Sequence, residues 1–408
     1  MIQCASYLYL DISRLIARAG HAVPTGVDRV EFEYADYLLR HDRQRLTFVA
    51  ISPLGSIVIL SFDEAERFIR LTEQIWGGDH SLCRRVQWAA RRMVYKAAMS
   101  RLRAPHAAAA YQQAIYLLLS HHHLNRPASI ARFLRHYQAR LVPMVHDLIP
   151  IEYPEYARPT EPARHEKRMN TVLALAEGVI VPSHAVARSM LHYARHRRGN
   201  LPVKVVAHGV VKPSYATGVP FLPERPYFLC LGTIEPRKNH LLLLNIWRDM
   251  VEKEGTSEVP RLVLVGRRGW ENENILDMLT RCPALQGVVI EYNNRSDPEV
   301  TALLQGARGL LFPSFTEGYG LPLSEALKLN VPCICSDIPV FHEVAGMAAT
   351  FVDPLDGLGW RQAIKKMMVR GIEEHRPGKR VASAQLFDWP EQVKKGLEMV
   401  EEISILTK

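Results

Sequence analysis

Two short runs of the chain concentrate groups that could hold an anion and a polyol. Gly232–His240 reads GTIEPRKNH, between the apolar YFLCL before it and the apolar LLLLNIW after it. That strand–loop–helix pattern puts the loop at a strand's C-terminal end, where open parallel sheets bind ligands. Arg237 and Lys238 stand beside the helix start. Two cations next to a positive helix N-terminus suit a diphosphate. Phe312–Leu327 reads FPSFTEGYGLPLSEAL. Gly318 and Gly320 bracket Tyr319 and let backbone approach a ligand closely. Leu321 and Pro322 open a helix whose first N–H groups are free to meet an anion. Glu317 lies in the loop and Glu325 one turn into the helix. Carboxylates so placed can accept from vicinal hydroxyls, one from a sugar and the other from a ribose.

The first half is sparser. VPMVHDLIP, Val142–Pro150, ends a strand on His146-Asp147 and sets an imidazole at the strand's tip. His121, His122 and His123 end another strand, but adjacent side chains diverge and make a poor metal site by themselves. PTGVDRVE, Pro24–Glu31, puts Gly26 just before a helix, where its amide could meet phosphate or acceptor.

These loops need a scaffold, and the hydrophobic pattern supplies one. Short apolar segments alternate with helical periodicity along the whole chain, which predicts α/β architecture with parallel sheets and helices on both faces. Strands are expected at Tyr7–Ile12, Leu46–Ile51, Ile57–Leu60, Ile115–Ser120, Leu141–His146 and Gly178–Pro182. A second series is expected at Tyr227–Leu231, Arg261–Val265, Val288–Tyr292, Gly309–Pro313, Pro332–Ser336 and Ala348–Val352. Helices are expected over Val27–Arg40, Asn239–Glu252, Asp297–Gln305 and Leu321–Leu329. The proline-rich Lys212–Pro226 reads as a linker. The expected domains are therefore residues 1–212 and 213–388, each a doubly wound, Rossmann-like unit. Residues 389–408 read as a terminal helix that packs back on the first domain.

A chain of 408 residues, 48% hydrophobic, fits two domains rather than one core. With 23% charged residues it is not of a disordered composition. No stretch of about 18 apolar residues occurs, so no membrane-spanning helix is expected. The opening MIQCASYLYLDIS has no basic leader and does not read as a signal peptide. Six scattered cysteines fit reduced thiols in the cytoplasm. The net charge of +9 is lopsided: residues 1–212 hold 29 Lys/Arg against 17 Asp/Glu. Between His80 and His146 there are eleven basic residues and no acidic one. Within that run, Ser81–Arg103 interleaves Arg84, Arg85, Arg91 and Arg92 with Trp88, Met93 and Tyr95. This is the pattern of a basic helix able to lie on an anionic membrane, or of a surface helix with an ordinary buried stripe.

In this order, the Gly26 turn, His-Asp-Leu-Ile-Pro, Gly232–His240 and the Glu317-x7-Glu325 spacing resemble family 4 glycosyltransferases of the GT-B fold. Val181-Pro182-Ser183, His208-Gly209-Val210 and Phe387-Asp388-Trp389 add smaller matches. The form with His-Asp-Leu-Ile-Pro is similar to bacterial O-antigen and exopolysaccharide mannosyltransferases. The resemblance implies two Rossmann-like domains across a cleft and a retaining transfer of a hexose, mannose from GDP-mannose as the first choice, to a glycan or lipid-linked acceptor. It implies that Arg237 and Lys238 bind and stabilise the leaving diphosphate, and that Glu317 contacts the sugar. Glu325 would contact the ribose, and Thr233 and the amides of Gly318, Tyr319, Gly320 and Leu321 would complete the donor site. His146 would reach the donor sugar and Gly26 would lie by the phosphate. Many relatives carry paired glycines where Thr25 precedes Gly26 here. No cofactor and no metal are expected, and no D-x-D motif lies at a strand end. A cytoplasmic protein peripheral to the inner membrane face is expected, with no nucleic-acid partner. The alternatives are another GT-B enzyme, such as a nucleotide-sugar epimerase, or a basic nucleic-acid-binding protein.

Overall fold

A computed structural model describes residues 6–100, 113–211, 222–369, 384 and 386–406. Most of the expected linker and the last residues of the basic helix, 101–103, lie outside them. Contacts divide the chain into two compact units. The first is Met1–Glu152, Pro159–Gly209 and Trp389–Lys408; the second is Tyr153–Arg158 and Val210–Asp388.

The first unit is built on strands β1 (Tyr7–Asp11), β2 (Leu46–Ile51), β3 (Ile57–Ile59), β4 (Ala114–Leu118) and β5 (Ala139–Pro143) in the order β3-β2-β1-β4-β5. Strands β6 (Val179–Val181) and β7 (Val203–Val205) pair beside β5 through the parallel bridge Met144↔Ile180. The apolar strands are buried on both faces, as a parallel sheet covered by helices requires. β3 departs from the expected parallel pattern and runs antiparallel to β2. The turn between them closes with Ser52 N–H donating to Ser56 at 2.7 Å, too tight for the long crossover that parallel strands need. β7, whose three residues are only half-buried, carried too weak an apolar signal to be expected.

The second unit has strands β8 (Tyr227–Leu231), β9 (Arg261–Val265), β10 (Val289–Tyr292), β11 (Gly309–Phe312), β12 (Cys333–Ser336) and β13 (Thr350–Val352), all parallel. Their order, β10-β9-β8-β11-β12-β13, is that of a doubly wound Rossmann sheet. Its order reverses between β8 and β11, so a ligand crevice is expected beyond the C-terminal ends of those two strands. Trp247 and Trp360, both fully buried, fill the core under this sheet.

The helix Trp389–Leu406 belongs to the first unit. Trp389, Val393, Leu397, Val400 and Ile403 recur at helical spacing and are buried. Gly396 abuts Tyr34 so closely that an added Cβ would lie 2.0 Å from its hydroxyl. Arg45 pairs with Glu401, and Lys204 with Glu402 at 2.8 Å.

Candidate donor site

Both sequence runs come together at the reversal point of the second sheet. β8 delivers Gly232 and half-buried Thr233, then the single 3-10 turn Pro236–Lys238. Asn239, left-handed at φ 55°, redirects the chain into the helix His240–Glu254. Arg237 and Lys238 therefore sit in the turn before the helix and not in its first turn. β11 delivers Phe312 to Glu317, and the helix Leu321–Lys328 starts just beyond.

Glu317 is held at both carboxylate oxygens. Oε1 accepts from Lys238 Nζ, and Oε2 lies 2.6 Å from Arg237 Nη1. Arg237 is itself fixed: Nη1 also donates to the Thr316 carbonyl at 2.8 Å, and Nε and Nη2 donate to Glu235 Oε1 at 3.1 and 2.7 Å. Its own carbonyl accepts from Phe315 N–H at 2.9 Å. Lys238 Nζ lies 5.1 Å from the centre of the Phe312 ring. Burial pushes the Glu317 carboxyl up, but the Arg237 and Lys238 charges outweigh it and hold the group down at about 2. Glu235, buried and easily passed over in the sequence, is what orients Arg237. The two cations are balanced by two carboxylates and locked in place before any ligand arrives.

Gly320, at φ 105°, is the residue before the Leu321–Lys328 helix. An added Cβ would meet the Phe341 ring at 2.9 Å, so its bare Cα faces the core ring as well as permitting the turn. Its carbonyl accepts from Leu323 N–H at 3.0 Å. Tyr319 beside it is buried, and burial raises its phenol. Glu325 is half-buried in the second turn. Gly318 lies half-buried between Glu317 and Tyr319.

The Tyr153–Arg158 segment joins this unit at the same loop. Tyr156 stacks on Phe315 with the rings 3° from parallel and 5.4 Å between centroids. Its carbonyl accepts from the Trp270 indole at 3.2 Å, and the Arg158 guanidinium lies over that indole at 5.3 Å. Nothing in the local sequence pattern separates these residues from the surrounding chain.

The first unit holds His146 and Gly26. His146 is buried beyond the end of β5. Its Nε2 donates to the Leu119 carbonyl at 2.7 Å, and its backbone N–H donates to His121 Nε2 at 3.1 Å. Its ring lies 5.4 Å from that of His121 and 5.7 Å from that of His208. Burial holds the His146 imidazole down at about 4, and it depresses His121 and His208 as well, so the cluster is neutral. Gly26 is the first residue of the helix Gly26–His41 rather than the residue before it. Thr25 caps that helix: its backbone N–H donates to Asp28 at 2.7 Å, and Arg14 and Arg18 grip the Asp28 carboxylate at 2.6 and 2.7 Å. That helix end therefore already holds a carboxylate. Between β1 and β4 lies a buried polar network missed in the sequence. The Tyr116 hydroxyl donates to Asp11 at 2.7 Å and lies 2.8 Å from His123 Nε2, while Glu31 accepts from Leu15 N–H at 2.9 Å. Burial, then the Asp11 charge, raises the Glu31 carboxyl.

Solved structures share this architecture along nearly the whole chain. HepE from Anabaena, in complex with UDP, superposes with a TM-score of 0.63 at 17% identity, covering 97% of this chain and 100% of that one. Sucrose-phosphate synthase from Thermosynechococcus elongatus gives 0.65 at 15% identity, covering 98% and 100%. The fold is thus that of the GT-B glycosyltransferases. Residues 217–382 match the family described as glycosyl transferases group 1, and the chain carries a glycosyl transferase domain of that group. O-antigen chain mannosyltransferase B of Escherichia coli is 32% identical over 168 residues, 40% of this chain and 42% of that one. O-antigen chain mannosyltransferase RfbU of Salmonella typhimurium is 33% identical over 147 residues, 35% and 38%. In both cases the match spans about two fifths of the relative's length.

Proposed function

We propose that the protein transfers a hexose, mannose from GDP-mannose, to a glycan or lipid-linked acceptor during assembly of a bacterial surface polysaccharide. The observation that carries this reading is the Glu317 carboxylate clasped by Arg237 and Lys238 at the reversal point of the second sheet. The named relatives supply the choice of mannose. The charge that develops as a sugar–phosphate bond breaks must be met by groups already in place, and Arg237 is fixed by four hydrogen-bonding contacts. Arg237 and Lys238 take the diphosphate, with the N–H groups at the start of the Leu321–Lys328 helix adding partial positive charge. Glu317 keeps lone pairs for the donor sugar's hydroxyls while it holds the two cations, and Glu325 accepts from the ribose. His146, neutral in the structure, offers hydrogen bonds to the sugar and no charge. Two cations and helix amides suffice for the leaving group without a metal. The acceptor attacks from the face the diphosphate leaves, which retains the anomeric configuration. The lipid-linked form of the acceptor places the protein at the cytoplasmic face of the membrane.

The test is release of nucleoside diphosphate from a panel of sugar nucleotides, with and without a mannose-terminated acceptor. Acceptor-dependent release from GDP-mannose and an axial anomeric bond in the product are expected. Sugar-nucleotide interconversion without an acceptor would replace the transferase reading with an epimerase one.

A further inference from the structure

The helix Cys83–Ser100 has two unlike faces. Val86, Ala90, Met93, Val94 and Ala97 form its buried stripe. At its edge Lys96 pairs with Glu64 of the Phe62–Trp76 helix at 2.7 Å. The opposite side is apolar too. Trp88, Tyr95 and Met99 are 62%, 67% and 69% exposed. At 3.6 residues per turn these three lie about 180° around the helix from the buried stripe. Arg84 and Arg91 flank them on one side, Arg85 and Arg92 on the other, all exposed. The Arg92 guanidinium sits over the Trp88 ring at 5.0 Å. Among the described residues no carboxylate pairs with any of these four arginines.

One exposed aromatic residue means little, but an apolar line bordered on both sides by cations is a surface with a partner. The charge decides which partner. A second copy of the same face would bring eight guanidiniums together. A phospholipid headgroup layer offers phosphates at the flanks and an apolar boundary in the middle, where tryptophan and tyrosine rings are at home. We infer that this face of the Cys83–Ser100 helix docks the protein on an anionic lipid bilayer. The inference gives the lipid-linked acceptor of the proposed function a place to be met, but it stands on the helix alone. Trp88, Tyr95 and Met99 enter the headgroup region while the arginines hold lipid phosphates.

Sedimentation of the full chain with vesicles tests it, using phosphatidylglycerol–phosphatidylethanolamine mixtures against pure phosphatidylcholine. The wild-type chain is expected in the pellet with the anionic vesicles only, and less so as salt rises. Replacing Arg84, Arg85, Arg91 and Arg92 together with Ser should lower partitioning by about tenfold or more, since each engaged cation contributes up to several-fold. Trp88→Ser, Tyr95→Ser and Met99→Ser combined should lower it as well. All seven positions are exposed, so melting temperatures should match wild type, and a variant that melts early is replaced by its single substitutions. Diphosphate release with a soluble acceptor should be unchanged in these variants. A wild-type chain left in the supernatant, equal binding to neutral vesicles, or variants that bind like wild type would overturn the inference. So would tighter retention on a mixed-sequence RNA than on vesicles. Vesicle binding by a chain that turns over no sugar nucleotide would leave docking intact and remove the transferase reading.

Discussion

Glu317 Oε2 and Arg237 Nη1 lie 2.6 Å apart, and the same arginine holds buried Glu235 through its other two nitrogens. The carboxylate is thus a structural counter-ion as well as the proposed sugar ligand. Glu317→Gln should lower kcat by about tenfold or more, in line with loss of one preorganised polar group. It should also destabilise the second unit, because two largely buried cations lose their partner. A charge-assisted contact contributes roughly 1.5–3 kcal/mol, or about 3–12 °C in melting temperature for a unit of this size. Calorimetric melting together with initial rates checks both; a variant with wild-type rate removes Glu317 from the site.

Arg237→Ala should be worse than Lys238→Ala for the same reason. It strands Glu235 and leaves Glu317 only Lys238, whereas Lys238→Ala leaves both carboxylates their guanidinium. Each should weaken nucleoside diphosphate binding by about tenfold, with titration calorimetry as the measurement. EDTA should leave turnover largely intact; complete loss restored by Mg2+ would show that the two cations are not enough.

Acid should act in two separate windows. Glu317 titrates at about 2 in the folded protein and near 4.5 unfolded, so its contribution is present above pH 4.5 and is lost as pH falls toward 2. Its size is about 3 kcal/mol, since each tenfold change in proton affinity corresponds to about 1.36 kcal/mol. His146, depressed from 6.5 to about 4, contributes above pH 6.5 and loses that contribution as pH falls toward 4. Melting curves from pH 7 to pH 3 should show wild type losing more than Glu317→Gln below pH 4.5, with equal losses above it. The His146 ring should stay neutral by NMR at pH 5.5.

The Tyr156–Phe315 stack should set how well the Glu317 loop is held. Tyr156→Ala removes an aromatic pair of roughly 0.5–1.5 kcal/mol along with its buried area. The expected result is a lower kcat at nearly unchanged acceptor KM, with Tyr156→Phe restoring wild-type rate. Equal rates for Tyr156→Ala and wild type would make the stack irrelevant to the site.

Gly320→Ala combines a left-handed backbone with a Cβ 2.9 Å from Phe341. It should cost about 1–3 kcal/mol of stability and displace the start of the Leu321–Lys328 helix. Gly287→Ala, also left-handed but in open space, is the control for strain without a clash.

The elements that carry the candidate donor site are legible because they are short, apolar and bounded by turn residues. Tyr227–Leu231 and Arg261–Val265 match their strands residue for residue. β3 was seen as a strand, but its direction is set by the closeness of Ser52 to Ser56, which periodicity does not report. The spacing of Glu317 and Glu325 on a loop and a helix could be read, since helix starts have their own chemistry. The bond from Lys238 to Glu317 spans 79 positions of sequence, and no local rule reveals the clasp it forms with Arg237. Tyr156 and the Asp11–Tyr116–His123 network were invisible for the same reason: each joins segments that only the fold brings together.

The return of Trp389–Leu406 to the first unit bears on the order in which the protein is made. Val210–Asp388 is continuous and can collapse as soon as it clears the ribosome. The first unit leaves earlier but lacks the helix that covers Tyr34 and pairs with Arg45. At roughly 5–20 residues per second, it waits on the order of 10 s or more for that helix. During translation, then, the half that emerges first is the half completed last, and the apolar surface that Trp389, Val393 and Leu397 cover stays open meanwhile. A nonsense codon ahead of Trp389 would spare the second unit and leave the first one open.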